Sequence, residues 1–248
     1  MSLRVMWCDE FVRLDPLSGA ALDADGQQAA LPPVQLIGVR DSFASFQLAV
    51  GPLGKGDAVR VTGGDLKGRG KGSISRRQYD VFVEWYVPGD GKWYPDVCVP
   101  QDLVGGSTPG FRKLNGVDQG RYAGFWVDLF IPADAAPGEY TGKVTVTAGG
   151  EKVDMPVALH VGAARLGPDC CLDVSMNNYA DSISGGWKGL SDDPDRFFKA
   201  KYQRVEQGVF RAAHEHRAFL HYLSYGHSGY VTPSFAPPLE GEGPRKRV

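Results

Sequence analysis

The feature that most constrains the fold is a repeated alternation of short apolar runs and turn residues through the first 161 residues. Residues 125–131 and 140–147 both alternate and are rich in aromatic and β-branched side chains, which is typical of β-strands. Between them, Pro132 and Pro137 lack a backbone N–H and end the first strand, and Gly138 supplies conformational freedom before the second. This segment predicts a turn that joins two strands of a β-sandwich.

Eight segments of this kind are separated by turns rich in glycine and proline. The predicted strands are residues 4–14, 34–39, 43–50, 58–62, 78–87, 123–131, 140–148 and 152–161. Gly149 and Gly150 predict a hairpin between the last two, whereas residues 88–122 predict one long irregular loop with a functional or interface role. Many short strands without a helix predict a mainly β chain, with an antiparallel β-sandwich over residues 1–166.

The periodicity changes after Gly167 and Pro168. Residues 171–176 predict a short strand, residues 194–217 an amphipathic helix, and residues 218–225 a second strand. Strand, helix and strand together form a βαβ unit, which requires a parallel sheet. Because a complete (β/α)8 barrel needs about 250 residues, residues 167–248 predict the first βαβ portion of an incomplete (β/α) barrel. The chain is therefore expected to be a fragment of a longer protein.

Composition narrows the classes of partner. Lys and Arg number 27 against 29 Asp and Glu, for a formal net charge of -2, so no nucleic-acid partner is expected. No apolar run approaches the roughly 20 residues that span a bilayer, and residues 1–9 hold no signal-peptide core, so no membrane partner is expected. The four cysteines lack metal-binding spacing and are predicted to be buried structural thiols, the alternative being a disulfide pair or ligands. Neither a metal nor another cofactor is expected.

Four motifs resemble those of one known family. They are Arg40-Asp41-Ser42-Phe43-Ala44-Ser45-Phe46-Gln47, Trp93-Tyr94-Pro95-Asp96, Phe125-Trp126-Val127-Asp128 followed by Pro132, Asp134, Pro137, Gly138, Tyr140 and Gly142, and His214-Glu215-His216-Arg217. The family is the group of bacterial proteins that carry domain of unknown function 4091, related to glycoside hydrolase family 123. One departure is Asp41-Ser42, where the family usually has Asn-Glu. The resemblance implies a β-sandwich placed before a (β/α)8 barrel that acts on carbohydrate.

The resemblance carries over no catalytic residue. In family 123 an Asp-Glu pair on a later barrel strand hydrolyses N-acetylhexosaminides, with Glu as the general acid and Asp steering the acetamido group, and nothing here occupies those positions. Asp173 and Asp181 are interpreted as strand-end or loop carboxylates. His214 and His216 project about 200° apart on a helix, so they cannot ligate one metal.

Loops that follow barrel strands are where this architecture forms its pocket. Asn177, Asn178 and Tyr179 follow the first predicted barrel strand, and Tyr225 and His227 follow the second. Amides offer paired donors and acceptors, and aromatic faces accept the apolar side of a sugar ring. We predict that these five residues bind carbohydrate; the alternative is that they are turn residues.

Two hypotheses about function follow from the sequence. In the first, the chain is the N-terminal fragment of a glycoside hydrolase-like protein and is inactive alone because the barrel acid pair is absent. In the second, it is a non-catalytic carbohydrate-binding or scaffolding β-sandwich module. The βαβ unit favours the first, because a binding module has no use for a partly formed parallel sheet.

Overall fold

The computed structural model describes residues 2–22, 27, 35–54, 57–70, 72–104, 121–167, 175–178, 195, 198–215 and 217–222, and of residues 175–178 and 219–222 it describes the backbone. The chain divides into two compact units, Met1–Arg165 and Leu166–Val248. In chain order the strands of the first unit are β1 (Arg4–Cys8), β2 (Arg13–Leu14), β3 (Ala21–Leu22), β4 (Gln35–Arg40), β5 (Ser42–Gly51), β6 (Val59–Gly63), β7 (Leu66–Gly68), β8 (Ser73–Ile74), β9 (Tyr79–Gly89), β10 (Lys92–Pro100), β11 (Ala123–Ile131), β12 (Gly138–Ala148) and β13 (Glu151–Arg165).

Two sheets of these strands enclose the core of the first unit. One sheet has the antiparallel order β1-β5-β11-β9-β10, and the other has the order β4-β13-β12-β7-β8, with β6 also paired to β12. The mainly β, antiparallel sandwich predicted from the sequence is confirmed. One pairing differs, because β4 runs parallel to β13. The tight turn at Asp41 passes the chain from β4 in one sheet to β5 in the other, so no hairpin dictates the direction of β4.

Alternate side chains of the central strands form the core. Phe125 and Val127 of β11 face inward with Phe46 of β5, while Val146 of β12 and Leu159 of β13 come from the opposite sheet. All five are at most 2% exposed. Burying a side chain of this size stabilises the fold by about 1.5–3 kcal/mol relative to leaving it in water.

The proline- and glycine-rich turn between β11 and β12 has the structural role that its sequence predicts. Gly138 has φ 134, a conformation that side chains rarely adopt. The hydroxyl of Tyr140 donates to the carbonyl oxygen of Ala136 at 2.8 Å. A Cβ atom at Gly142 would lie 2.8 Å from the carbonyl oxygen of Asp65 and 2.5 Å from Leu66 Cδ2, so glycine is the residue that fits here without a shift of the neighbouring backbone. The motif therefore fixes a turn and a close sheet contact.

The motif at the start of β5 is also part of the framework. Asp41 has φ 63, and its backbone N–H donates to the carbonyl oxygen of Ile131 at 2.7 Å. The side-chain amide of Gln47 donates to the carbonyl oxygens of Asp9 and Val12, both at 2.7 Å. These bonds attach the segment after β1 to the five-stranded sheet.

Two predictions about the sandwich strands are wrong. Residues 4–14 are not one strand, because the chain turns after β1, where the backbone N–H of Phe11 donates to Asp9 Oδ1 at 2.9 Å. Residues 88–122 are not one irregular loop, because β10 pairs with β9 across a hairpin at Asp90 and Gly91, which have φ 47 and 71. The prolines in β10 argue against a central strand, but an edge strand tolerates them.

The second unit contains β14 (Ser175–Asn178), the helix α1 (Ala200–Glu215) and β15 (Phe219–Tyr222). β14 and β15 pair in parallel, so the predicted strand–helix–strand unit is present. Tyr202 and Glu206 are fully buried on one side of α1, and the Tyr202 hydroxyl lies 3.4 Å from Glu206 Oε1. Among the described helices, none has both the length and the apolar character needed to cross a membrane.

Candidate functional site

The predicted carbohydrate-binding residues divide between described and undescribed parts of the chain. Asn177 and Asn178 are the last two residues of β14, and their Cα partners across the ladder are His221 and Tyr222 of β15. Tyr179, Tyr225 and His227 lie outside the described residues. Since both strands end at the same register position, the segments that follow them begin at one edge of the parallel pair.

Most of the other side chains considered from the sequence lie outside the described part of the chain. Asp173, Asp181 and His216 lie outside that part, and His214 belongs to the last turn of α1. The described residues contain no group of three or more His, Cys, Asp or Glu arranged to hold a metal ion.

The prediction of buried cysteines holds for one of the two described thiols. Cys8 is 1% exposed, and burial raises the pKa of its thiol to about 12. Cys98 is exposed, because β10 is an edge strand, so the prediction is wrong there. Neither forms a disulfide. Cys170 and Cys171 lie outside the described residues.

The aromatic residues around the hairpin of β9 and β10 have separate roles. Tyr86 is 1% exposed and belongs to the core, while Trp85 and Trp93 pack partly against it. The guanidinium of Arg13 lies 5.2 Å from the ring centroid of Tyr94, and its Nη1 donates to the Trp93 carbonyl oxygen at 2.9 Å. Tyr94 therefore helps hold the N-terminal segment on β10.

A buried acid that sequence reasoning missed lies on the opposite face of β9 from Val83. Glu84 is 1% exposed, and its Oε2 accepts a hydrogen bond from the Tyr86 hydroxyl at 2.6 Å. Its Oε1 has no hydrogen-bond partner among the described residues. Burial raises the pKa of Glu84 to about 7, although the Tyr86 hydrogen bond opposes the rise. Gly124 leaves room for the carboxyl group, since a Cβ atom there would collide with Oε2.

A cleft of about 800 Å³ lies within the first unit, between β6, the turn before β9 and the end of β10. We call it the arginine cleft. Its charged and aromatic lining consists of Arg60, Asp65, Arg76, Arg77, Tyr79, Asp80, Phe82 and Asp102. These residues are distant in the sequence, so no local motif identifies the cleft.

Hydrogen bonds between side chains and backbone fix the walls of the arginine cleft. The amide of Gln101 accepts from the Val61 backbone N–H at 2.7 Å and donates to the Val61 carbonyl oxygen at 3.1 Å, as a neighbouring strand would. Arg60 and Asp102 form an ion pair of 2.6 Å at the rim. Gln101 is 5% exposed, so its side chain is held in one position in the lining of the cleft.

Tyr79 is an aromatic residue of the cleft lining. Its ring packs on the backbone of Gly63, where a Cβ atom would collide with it. The hydroxyl group is buried and has no hydrogen-bond partner within the described ranges, and burial raises its pKa above the usual value. Tyr79 thus gives the cleft a rigid aromatic surface.

Comparisons with known proteins show the fold of the chain. The sequence matches no family profile and no curated protein. The structure is similar to the family 123 glycoside hydrolase from Clostridium perfringens, with a TM-score of 0.65 and 12% identity over 88% of this chain and 37% of that one. The Salmonella SafD adhesin matches with a TM-score of 0.32 and 11% identity over 66% of this chain and 100% of the adhesin.

At 12% identity, the likeness to the Clostridium perfringens enzyme is a likeness of fold. The first unit, Met1–Arg165, accounts for 165 of the 248 residues, so a match over 88% of the chain extends into the second unit. The chain spans 37% of the length of that enzyme. It therefore shares its architecture with part of a family 123 glycoside hydrolase.

Proposed function

We propose that the chain forms the β-sandwich and the first βαβ portion of a glycoside hydrolase-like protein that acts on carbohydrate, of the kind that carries domain of unknown function 4091. The fold likeness to a family 123 enzyme, which extends from the sandwich into the second unit, carries this proposal. The structure of that enzyme concerns the hydrolysis of glycolipid glycans. On this proposal, residues 1–166 are the sandwich and residues 167–248 begin the barrel.

The sandwich is proposed to be a scaffold. Its motifs at Asp41 and Tyr140 form turns, and Gln47 bonds the segment after β1 to the five-stranded sheet. No pair of acids takes part in these contacts. Such fixed contacts are suited to supporting a second domain. They assign no catalytic step to the sandwich.

The sugar site is proposed to lie at the edge where β14 and β15 end. Asn177 and Asn178 occupy the end of one strand, and Tyr179, Tyr225 and His227 follow the two strands in the sequence. Pockets of parallel α/β folds form outside the carboxyl ends of the strands, which supports this assignment. The paired parallel strands also favour the enzyme architecture over a module made of the sandwich alone.

The proposal is tested with the full chain and a methyl N-acetyl-β-hexosaminide. Because two βα loops enclose a ligand incompletely, we expect weak binding, with Kd on the order of millimolar. In saturation-transfer NMR, Asn178→Ala and Tyr225→Ala should each reduce the signal strongly. Tyr94→Ala, which removes an exposed tyrosine of the sandwich, is the matched control and should leave the signal unchanged.

The same preparation should not hydrolyse aryl N-acetylhexosaminides. The general acid and its partner are expected on other strands, and one such group typically contributes about 10²–10⁴-fold to the rate. Turnover that disappears in Asp173→Asn or Asp181→Asn would contradict the proposal. Equal saturation-transfer signals in the wild type and in both loop variants would contradict the assigned site.

A further inference from the structure

We infer that the arginine cleft is a binding site for an acidic saccharide, a short chain of sugars that carry carboxylates. The cleft lies wholly within Met1–Arg165, whereas the proposed sugar site lies at the ends of β14 and β15. The inference therefore does not rest on the proposed function. It adds a second carbohydrate site, on the sandwich, with a different ligand chemistry.

The lining of the cleft holds three arginines and three aspartates, and two of the arginines point to an anionic group on the ligand. Arg76 and Arg77 are exposed, and neither forms an ion pair with another described residue. The guanidinium of Arg60 is already paired with Asp102. Asp65 accepts the backbone N–H of Arg76 at 2.8 Å, which fixes the turn that presents both arginines. Two adjacent guanidinium groups thus remain available, and a guanidinium binds a carboxylate through two parallel hydrogen bonds.

The remaining polar atoms are suited to sugar hydroxyl groups. Asp65 and Asp102 each use one carboxylate oxygen in the contacts above, and the other oxygen of each makes no hydrogen bond to a described residue. These oxygens accept hydrogen bonds. A ligand that carries carboxylates for the arginines and hydroxyl donors for these oxygens therefore satisfies both halves of the lining.

The apolar part of the lining and the size of the cleft complete the match. Tyr79 and Phe82 contribute aromatic surface, and Pro100 adds an aliphatic ring. Sugar rings present C–H faces that pack on such surfaces. The volume of about 800 Å³ falls within the range of about 300–1,000 Å³ that is typical of small-ligand sites. A free anion would leave these surfaces and most of this volume unused.

The test is calorimetric titration of the full chain with tetragalacturonate at low salt. Maltotetraose, a neutral tetrasaccharide with the same type of linkage, is the matched ligand control. We expect tetragalacturonate to bind at least about tenfold more tightly, because charge-assisted hydrogen bonds to arginine are lost with the neutral sugar. The backbone amide resonances of Gly63, Gly64, Arg76 and Arg77 should shift on titration of the ¹⁵N-labelled protein.

A double variant separates the cleft from general attraction between charges. Arg76→Gln/Arg77→Gln should weaken tetragalacturonate binding about tenfold or more. Arg69→Gln/Arg204→Gln removes the same charge from exposed arginines outside the cleft and should change Kd less than about twofold. Because the amide shifts are measured on the wild type, they locate the site independently of any variant.

Several outcomes would overturn the inference. These are equal weakening in the two double variants, equal affinity for maltotetraose, amide shifts confined to other residues, and no binding of tetragalacturonate. Complete competition by stoichiometric sulfate would also overturn it, because the cleft would then be a simple anion site. The N-acetylhexosaminide of the proposed function is a separate ligand, so its failure to bind would leave the result for the cleft unaffected.

Discussion

Replacement of Glu84 by glutamine would reveal how a buried acid makes the stability of the sandwich depend on pH. The carboxyl group is 1% exposed, and burial raises its pKa from 4.5 to about 7. Glutamine is nearly the same size and stays neutral, and its carbonyl oxygen can accept the hydrogen bond from Tyr86. The variant therefore mimics the protonated form of Glu84 at every pH.

The sign of the effect follows from the direction of the pKa shift. Between pH 4.5 and about 7, the folded state keeps a proton on Glu84 that the unfolded state has lost. The contribution to the free energy of unfolding is fully present below pH 4.5 and is lost as pH rises to about 7. A shift from 4.5 to about 7 corresponds to a loss of about 3 kcal/mol. Above pH 7 this contribution stays constant.

The assay is urea unfolding of the wild type and Glu84→Gln at pH 5, 6, 7 and 8, followed by tryptophan fluorescence. The two proteins should be similar at pH 5, and at pH 8 the variant should be more stable by up to about 3 kcal/mol. Glu10→Gln changes an exposed acid and should show no such pH dependence relative to the wild type. A stability difference between wild type and Glu84→Gln that is the same at pH 5 and pH 8 would refute the reasoning.

Three further predictions concern the framework. Tyr140→Phe should lower the free energy of unfolding by about 1 kcal/mol because it removes the hydroxyl bond across the turn, and an unchanged urea midpoint would contradict this. Gly142→Ala should destabilise the protein by about 1–3 kcal/mol because its Cβ would crowd Leu66. Gly208→Ala, in open space on α1, should instead stabilise that helix by roughly 1 kcal/mol. Thermal unfolding of the two variants shows whether the two changes in stability have these opposite signs. Iodoacetamide at pH 8 should alkylate Cys8 only after unfolding, and mass spectrometry of the folded protein would show early labelling if this is wrong.

The sequence predicts those strands, turns and helices that are determined by residues close together in the chain. The alternation of apolar and polar residues in β12 predicts its buried face, and Gly149 and Gly150, with φ 56 and 83, form the predicted hairpin. The helix and the two strands of the second unit follow from the change of periodicity. In each case, the residues that form the element also determine its conformation, so the local sequence is enough to predict it.

Features set by distant parts of the chain were not predictable in this way. β10 contains two prolines and is a strand because its edge position tolerates them. The parallel placement of β4 depends on a sheet crossing, and the buried state of Glu84 depends on packing against Gly124. The arginine cleft is built from β6, β9 and β10 together, so its lining is absent from any single motif. Tertiary packing determines all four.

The central claim is that the chain contributes a carbohydrate site at the ends of β14 and β15. Its most direct test is NMR titration of the ¹⁵N-labelled full chain with a methyl N-acetyl-β-hexosaminide. We expect the amide resonances of Asn177, Asn178, Tyr179, Tyr225 and His227 to shift together along one binding curve, with no hydrolysis of the ligand. Shifts confined to residues 1–165, or no shifts at saturating sugar, would contradict it.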